Sequence, residues 1–408
     1  MTRTSISLPA ATAPVARPAG FYLLASITIT FLAGSSAPTP LYPVYQALWG
    51  FSAATVTAVF SSYVLVLLAA LLVFGRLSDH VGRKPVILVA ILLQLVAMVV
   101  FADARGVNAL YAGRIIQGLA TGAALAAIGA GMLDLDRAKG TIANAVAPAV
   151  GTALGGFVSG LLVHYLPAPT HLVYGVLAAV YLLQGLGIAL MPEPGQRRAG
   201  AWASLRPQLA TPEGVRGPLR TAIPILVAGW ALAGFYASLG PGLVHRAFGV
   251  DASLGGGFAL FLLAGSAGIA VLVLRELSAQ RLMQVGAAAL ATGMAGVLWA
   301  LATHSPGVFL VAAIVAGVGF GTGFQGGVRS VLATATAAER AGVLAVVFLV
   351  SYVAMGLPAL VAGFVAVRTG NLAATGLGFG ALVLALALCA LRASTSPAPT
   401  RAIARILE

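Results

Sequence analysis

Apolar runs of about 20 residues, the length that crosses ~30 Å of hydrocarbon at 1.5 Å per residue, recur along nearly the whole of this chain. In lipid a backbone has no water to bond to, so each run is expected as an α-helix that satisfies its own amides. Twelve are counted. The first six cover 22–47, 53–74, 85–102, 109–133, 142–165 and 171–191; the second six cover 221–240, 252–274, 282–302, 307–333, 342–367 and 371–391. The longest polar gap, 192–220, falls between the sets. The expected fold is therefore all-α and integral to the membrane, with twelve transmembrane helices in two pseudo-symmetric six-helix bundles over 21–191 and 221–391. Residues 1–20, rich in Ala, Pro, Ser and Thr, are expected to be a disordered tail, and 392–408 a second tail. A secretory signal does not fit, because the run from Phe21 continues past Gly34 and many further spans follow it.

With 60% of its 408 residues hydrophobic and 8% charged, the chain lacks the polar surface of a soluble fold. A net charge of +13 raises the question of nucleic acid. The bases sit instead in short loops and tails, with no basic stripe interleaved with aromatics, so lipid is the expected partner. Of the 23 Lys and Arg, Arg105, Arg246 and Arg368 fall on one side, Arg114 and Arg329 fall within spans, and the other 18 share the opposite side. Loops rich in Lys and Arg stay in the cytoplasm, so both termini are expected inside a plasma (inner) membrane. The single Cys389 excludes an intrachain disulfide and a cysteine metal cluster. No cofactor or metal is expected, and a monomer is.

Between the second and third spans lies GRLSDHVGRK, Gly75 to Lys84. Gly75 and Gly82 suit close approach or positive φ, Pro85 suits the first turn of the next helix, and Arg76, Arg83 and Lys84 mark a cytoplasmic loop. Asp79 is an acid among bases at the membrane edge. The stretch resembles the signature G-x-L-x-D-x-x-G-R-K of the major facilitator superfamily, matching at Gly75, Leu77, Asp79, Gly82, Arg83 and Lys84, with His80 where the family often has Arg. In the fourth span Leu110, Arg114, Gln117, Gly118, Gly122 and Ala123 resemble the family's L-x-x-x-R-x-x-Q-G-x-x-x-G-A pattern, whose Arg projects toward the transport path. The resemblance is strong over 53–124, partial to Gly160, and architectural beyond. In the second half the corresponding loop, 275–284, keeps Leu277 and Ser278 but no Asp.

Independently of the family, Arg114, Gln117 and Thr121 share one helical face, a polar stripe on an apolar helix. An Arg within a span costs roughly 2.5 to 3.5 kcal/mol on insertion scales, so it faces protein or water or snorkels to an edge. In the first span Ser35, Thr39, Tyr42 and Gln46 form a second stripe, while Pro38, Pro40 and Pro43 free backbone carbonyls that need partners. The other reading is a bent end with interfacial aromatics. Thr322, Gln325 and Arg329 repeat the pattern in the tenth span with the order reversed, placing Arg329 near the cytoplasmic end, where it either snorkels or serves the substrate path or gate. Trp230 and Tyr236 in the seventh span and Tyr352 in the eleventh either line a cavity or pack. Gly151, Gly155 and Gly156 resemble the family's antiporter element G-P-x-x-G-G with Thr152 in place of proline; small residues that let helices approach explain them equally. Close-set glycines in the fourth span, Gly118 and Gly122, and in the tenth, Gly317 to Gly323, suggest an internal repeat near 200 residues.

The resemblance implies that Asp79 holds an inner gate shut in the outward-facing state by acting on the eleventh helix near Gly342, and that Arg83 meets Asp134. It also implies a small-molecule substrate and, through the family alone, protons: all ten acids map to loops, tails or span ends. No G-x-x-x-x-G-K-[ST] loop for an attached ATPase is present, and no G-x-S-x-G or metal constellation for an intramembrane hydrolase. The expected function is secondary transport by alternating access, with efflux of small amphipathic compounds first. Uptake of a small metabolite is the alternative, and a channel or receptor stands behind both.

Overall fold

The computed structural model describes residues 16–195 and 198–395, and among them all regular structure is helical. The N-terminal half holds α1 (Ala16–Ser36), α2 (Tyr42–Trp49), α3 (Ala53–Phe74), α4 (Ser78–Val81), α5 (Arg83–Ala102), α6 (Val107–Leu135), α7 (Arg137–Tyr165) and α8 (Pro169–Leu190). One turn, α9 (Ala201–Ser204), stands in the connecting segment. The C-terminal half holds α10 (Glu213–Ser238), α11 (Gly240–Phe248), α12 (Ala252–Val273), α13 (Ala279–Thr303), α14 (Pro306–Leu332), α15 (Arg340–Thr369) and α16 (Leu372–Thr395). Twelve of these helices are long and apolar enough to cross a membrane. Most of the expected tails, 1–15 and 396–408, lies outside the described residues; 16–20 and 392–395 are helical.

Three expectations are corrected. The first span is not one helix over 22–47: it stops at Ser36, turns through 37–41 and restarts as α2. Prolines 38, 40 and 43 cannot donate to the preceding turn, so the ladder fails there. The seventh span starts at Glu213, eight residues before 221, so the connecting segment is shorter than 192–220, and a second helix, α11, follows it. The fourth and fifth spans, expected to be joined by 134–141, are instead separated by a single non-helical residue, Asp136, whose carboxylate accepts the Lys139 N–H at 3.0 Å and caps α7.

The halves repeat each other's packing. Every substantial pairing among α1, α3, α5, α6, α7 and α8 recurs among α10, α12, α13, α14, α15 and α16 in the same order, and α10 also touches α12 and α13. The glycine repeat is physical. A Cβ at Gly118 or Gly122 would lie 2.6 Å and 2.3 Å from the carbonyls of Tyr63 and Leu67 on α3, and one at Gly317 or Gly321 lies 2.2 Å and 2.5 Å from those of Leu263 and Ala267 on α12. Only glycine permits backbones that close. The short helices α2 and α11 also correspond, each ended by a glycine at φ near +70°, Gly50 and Gly249.

Two helix pairs carry most of the contact between the halves, α3 with α15 and α7 with α12. Their close contacts lie toward the face opposite the signature loop. There Gly156 and Gly160 meet Gly257, and Gly363 meets Thr57. Ser61 Oγ donates to the Gly356 carbonyl at 2.9 Å, and Thr39 Oγ1 to the Ala237 carbonyl at 2.8 Å. The second bond has a local cause. Four residues after Ala237 stands Pro241, which has no N–H to offer that carbonyl, so a hydroxyl from the other half fills the vacancy.

Candidate substrate pathway and signature-loop cluster

The break in the first span sets up the buried polar centre. Gly34 precedes Pro38 by four residues, so its carbonyl has no helical donor; Gln117 Nε2 supplies one at 2.9 Å. The turn also frees the carbonyls of Ser35 and Ala37, because the Thr39 and Leu41 N–H groups bond to Ser36 and Pro38 instead. Arg114 Nη1 donates to Ser35 at 2.7 Å, and Ser159 Oγ to Ala37 at 2.6 Å. The expectation that these carbonyls need partners therefore resolves into three named side chains from α6 and α7.

Arg114 is the largest fully buried side chain, with 0% exposure. Its Nε and Nη2 donate to the Tyr42 hydroxyl at 3.1 Å and 2.7 Å, and Nη1 also reaches Gln117 Oε1 at 2.8 Å. The Tyr63 ring lies 5.1 Å from the guanidinium carbon, within cation–π range. Every one of these partners is neutral. Among the described residues no carboxylate pairs with Arg114. Snorkelling is excluded, and Arg114, Gln117, Tyr42 and Ser35 form one cage. Thr121 extends it, accepting from Gln94 Nε2 at 3.0 Å and donating to the Gln117 carbonyl at 2.8 Å.

Across the seam the C-terminal half presents aromatics. Trp230 on α10 packs edge-on against Phe320 and Phe324 of α14, with centroids 5.8 Å and 5.4 Å away, and lies 4.9 Å from Tyr352 of α15. The wall abuts the cluster containing Tyr63, so it faces the Arg114 cage. Repeat symmetry fails here. The positions 199 residues after Arg114 and Gln117, on the offset that relates Gly118 to Gly317, are Ala313 and Ala316. Tyr236 lies apart, in an apolar cleft within the C-terminal bundle, against Phe309.

Other expected pathway residues fall elsewhere. Gln46 Nε2 donates to the Phe51 carbonyl at 3.2 Å and ties α2 to the start of α3. Thr39 is the cross-half tie described above. Arg329 is exposed on the signature-loop face and donates to the Arg275 carbonyl at 2.7 Å, serving the end of α12 as a cap. With the order of the tenth-span stripe reversed, its basic member reaches the surface. Gln325 follows Phe324 in α14, and its Oε1 is buried without a hydrogen-bond partner in the protein. Of the three fifth-span glycines, Gly151 and Gly155 seat α7 against the Ile29 and Ala33 carbonyls of α1, and Gly156 alone meets α12.

On the signature-loop face Arg83 is the hub. Its Nη1 bonds Asp79 Oδ1, and Ser78 Oγ at 2.7 Å; its Nε donates to Asp134 Oδ2 at 3.2 Å. Gly82, at φ +105°, turns the chain so that α5 starts at Arg83, a conformation that suits glycine. Gly75 needs no such freedom, at φ −57°. The first N–H groups of α5 are taken by Glu193, whose two carboxylate oxygens accept from Arg83 N at 2.7 Å and Lys84 N at 3.1 Å. Lys84 Nζ donates to the carbonyls of Ala189 and Met191 at the end of α8. The connecting segment is thereby fastened to the loop, and Arg198 N adds a bond to the Asp79 carbonyl. His80 Nδ1 lies 2.8 Å from the Ala199 carbonyl. Asp79 makes no bond to the eleventh span, α15, here; the Gly342 carbonyl takes the Ala210 N–H at 3.3 Å instead. Glu193 escaped the sequence reading, although a lone acid at the exit of a span facing a basic loop was its signal.

Twelve membrane-length helices in two repeated bundles, with polar side chains and aromatics confronting each other at the seam, define a membrane transporter. The sequence profile described as Major Facilitator Superfamily matches residues 24–357, and the chain belongs to that family. The chain is thus a multi-pass membrane protein of the transporter family that this profile describes. Over 130 residues it is 34% identical to the tetracycline resistance protein, class C, of Escherichia coli, covering 31% of this chain and 33% of that protein. Over 73 residues it is 37% identical to the multidrug resistance protein MdtL of Klebsiella pneumoniae, covering 18% of this chain and 19% of that protein. The matches thus span a third or less of these relatives. The fold is similar to that of a bacterial homolog of the human lysosomal transporter Spinster (TM-score 0.74, 14% identity, 95% of this chain and 100% of that one). It is also similar to that of the nucleoside transporter NupG (TM-score 0.68, 15% identity, 93% and 99%).

Proposed function

We propose that this carrier exports small amphipathic compounds across the plasma membrane by alternating access, with the substrate path along the seam between the Arg114 cage and the Trp230 wall. The observation that carries the substrate chemistry is the buried guanidinium with neutral partners only. A cationic substrate would meet repulsion with no carboxylate to offset it, whereas a neutral or anionic one is accepted. The names of the two partial relatives, both resistance proteins, support export. Proton coupling and a monomeric state complete the proposal.

The gate belongs to the same reading. With the signature loop and both termini in the cytoplasm, the seam contacts close the outer side, so the arrangement faces inward. Asp79, Arg83 and Asp134 are then the inner gate at rest within one half, and Asp79 turns to the eleventh helix when the inner side shuts. The two bundles, 21–191 and 221–391, rock as units about the seam.

The test is transport of a panel of neutral, anionic and cationic amphiphiles in proteoliposomes, with and without an imposed pH gradient. Saturable movement of neutral or anionic compounds, lost in Arg114→Ala, is expected. Asp79→Asn should insert and bind but cycle slowly. Unchanged transport and affinity in Arg114→Ala would remove the substrate assignment, and full activity in Asp79→Asn the gate.

A further inference from the structure

The aromatic wall contains an unmet demand. The Trp230 indole nitrogen is buried and has no hydrogen-bond partner in the protein, and neither has Ser351 Oγ, one residue before Tyr352 in α15, nor Gln325 Oε1, one residue after Phe324 in α14. Buried polar groups are nearly always paired, so an orphan calls for an outside partner. An indole N–H can only donate, which makes that partner an acceptor. Around it stand ring faces and edges from Phe320, Phe324 and Tyr352, a setting that favours a flat π-system by offset or edge contacts. The two acids that fall within the twelve spans, Asp134 and Glu213, stand at span ends, and the one buried cation among the described residues, Arg114, stands across the seam.

We infer that the Trp230 wall binds an uncharged, planar aromatic molecule bearing a hydrogen-bond acceptor, with that acceptor seated on the indole N–H. The inference rests on the carrier reading of the seam and names its substrate class. Trp230 is then a specificity-determining residue: the wall accepts the ring, and the N–H selects rings that carry a lone pair in their plane. A site built to donate to its ligand rejects the isostere that lacks the acceptor, because the donor stays buried and unpaired.

Quinoline and naphthalene form the matched pair, equal in shape and differing by one ring nitrogen. Their binding to the purified full-length protein is read by calorimetry at a pH where quinoline is neutral. The protein should prefer quinoline by about tenfold. Trp230→Phe keeps an aromatic ring without the N–H and should bind the two alike. β-(3-Benzothienyl)alanine at position 230, which exchanges only N–H for sulfur, should do the same and covers any packing defect of the smaller ring. The benzothienyl protein should also melt no lower than wild type, since it removes a buried donor that has no partner. Equal affinities in wild type, a preference that survives both variants, or a benzothienyl protein that melts several degrees lower would each overturn the inference. No transport is read in this assay, so its failure leaves the carrier assignment standing, and failed transport with an intact preference strikes the carrier assignment alone.

Discussion

Replacing Thr39 by valine keeps the side chain's shape and deletes one of the hydroxyls that tie the two halves together. In the present arrangement that hydroxyl gives the Ala237 carbonyl its partner, 2.8 Å away, because Pro241 has no N–H. Losing the bond costs about 1 kcal/mol net, and a carbonyl left buried without a partner brings the figure to about 1–3 kcal/mol. When this side of the seam opens, both groups reach water and the substitution is nearly neutral. The closed side is therefore weakened selectively, and the ratio of open to closed should rise roughly 5- to 150-fold. Nitroxides at Leu48→Cys on α2 and Arg246→Cys on α11, both exposed, report the separation by pulsed dipolar spectroscopy once the exposed Cys389 is replaced by serine. Thr39→Val should populate a longer distance, and Thr39→Ser should restore the wild-type distribution. Coincident distributions for Thr39→Val and wild type would refute the reasoning.

Glu193→Ala removes the carboxylate that accepts from Arg83 N and Lys84 N; about 1 kcal/mol of stability should go with it, read by denaturant unfolding in detergent, and an unchanged midpoint would deny the cap. Gly122→Leu sets a Cβ 2.3 Å from the Leu67 carbonyl and should abolish monodisperse protein on size exclusion, whereas Gly175→Leu, with nothing within 4 Å of its Cβ, should be tolerated. The Lys139 backbone N–H holds the Asp136 carboxyl below the usual carboxylate range. A depressed folded-state value means stability that is present above the unfolded value, about pH 3.9, and is lost as pH falls through the folded one. Asp136→Asn should therefore be less stable than wild type at neutral pH and converge with it in acid; a gap that persists in acid would contradict the linkage.

Helix number and order were legible because hydrocarbon thickness imposes a length and lipid imposes the helix, leaving little for tertiary context to alter. Helix ends were less so. The first span's prolines signalled freed carbonyls but not where the helix restarts, and Glu213 is a polar residue that hydropathy assigns to a loop although it opens α10. The Arg114 face was readable from 3.6-residue spacing, since all three members lie on one helix. What completes the cage, Tyr42 and the Ser35 carbonyl, comes from another helix across a break that destroys the spacing on which the first stripe depended. That is why Gln46, in register by count, sits outside it. Tyr63 and Glu193 were missed for a similar reason: each matters through a partner 51 or 110 positions away in the chain, a pairing that local pattern does not encode even where, as at Glu193, a lone acid at a span exit hints at a role.

Prolines in the middle of a span suggest a joint at which the first helix could flex. The bend at 37–41 is instead splinted, with Gln117 and Arg114 from one neighbour and Ser159 from another stitched to the very carbonyls the prolines expose. Flexing there would tear three sutures at once and leave a guanidinium adrift in the apolar interior. The first helix must then travel with α6 and α7 as one solid piece, so the give that lets this carrier change shape has to come from the boundary between the bundles and not from the kink itself.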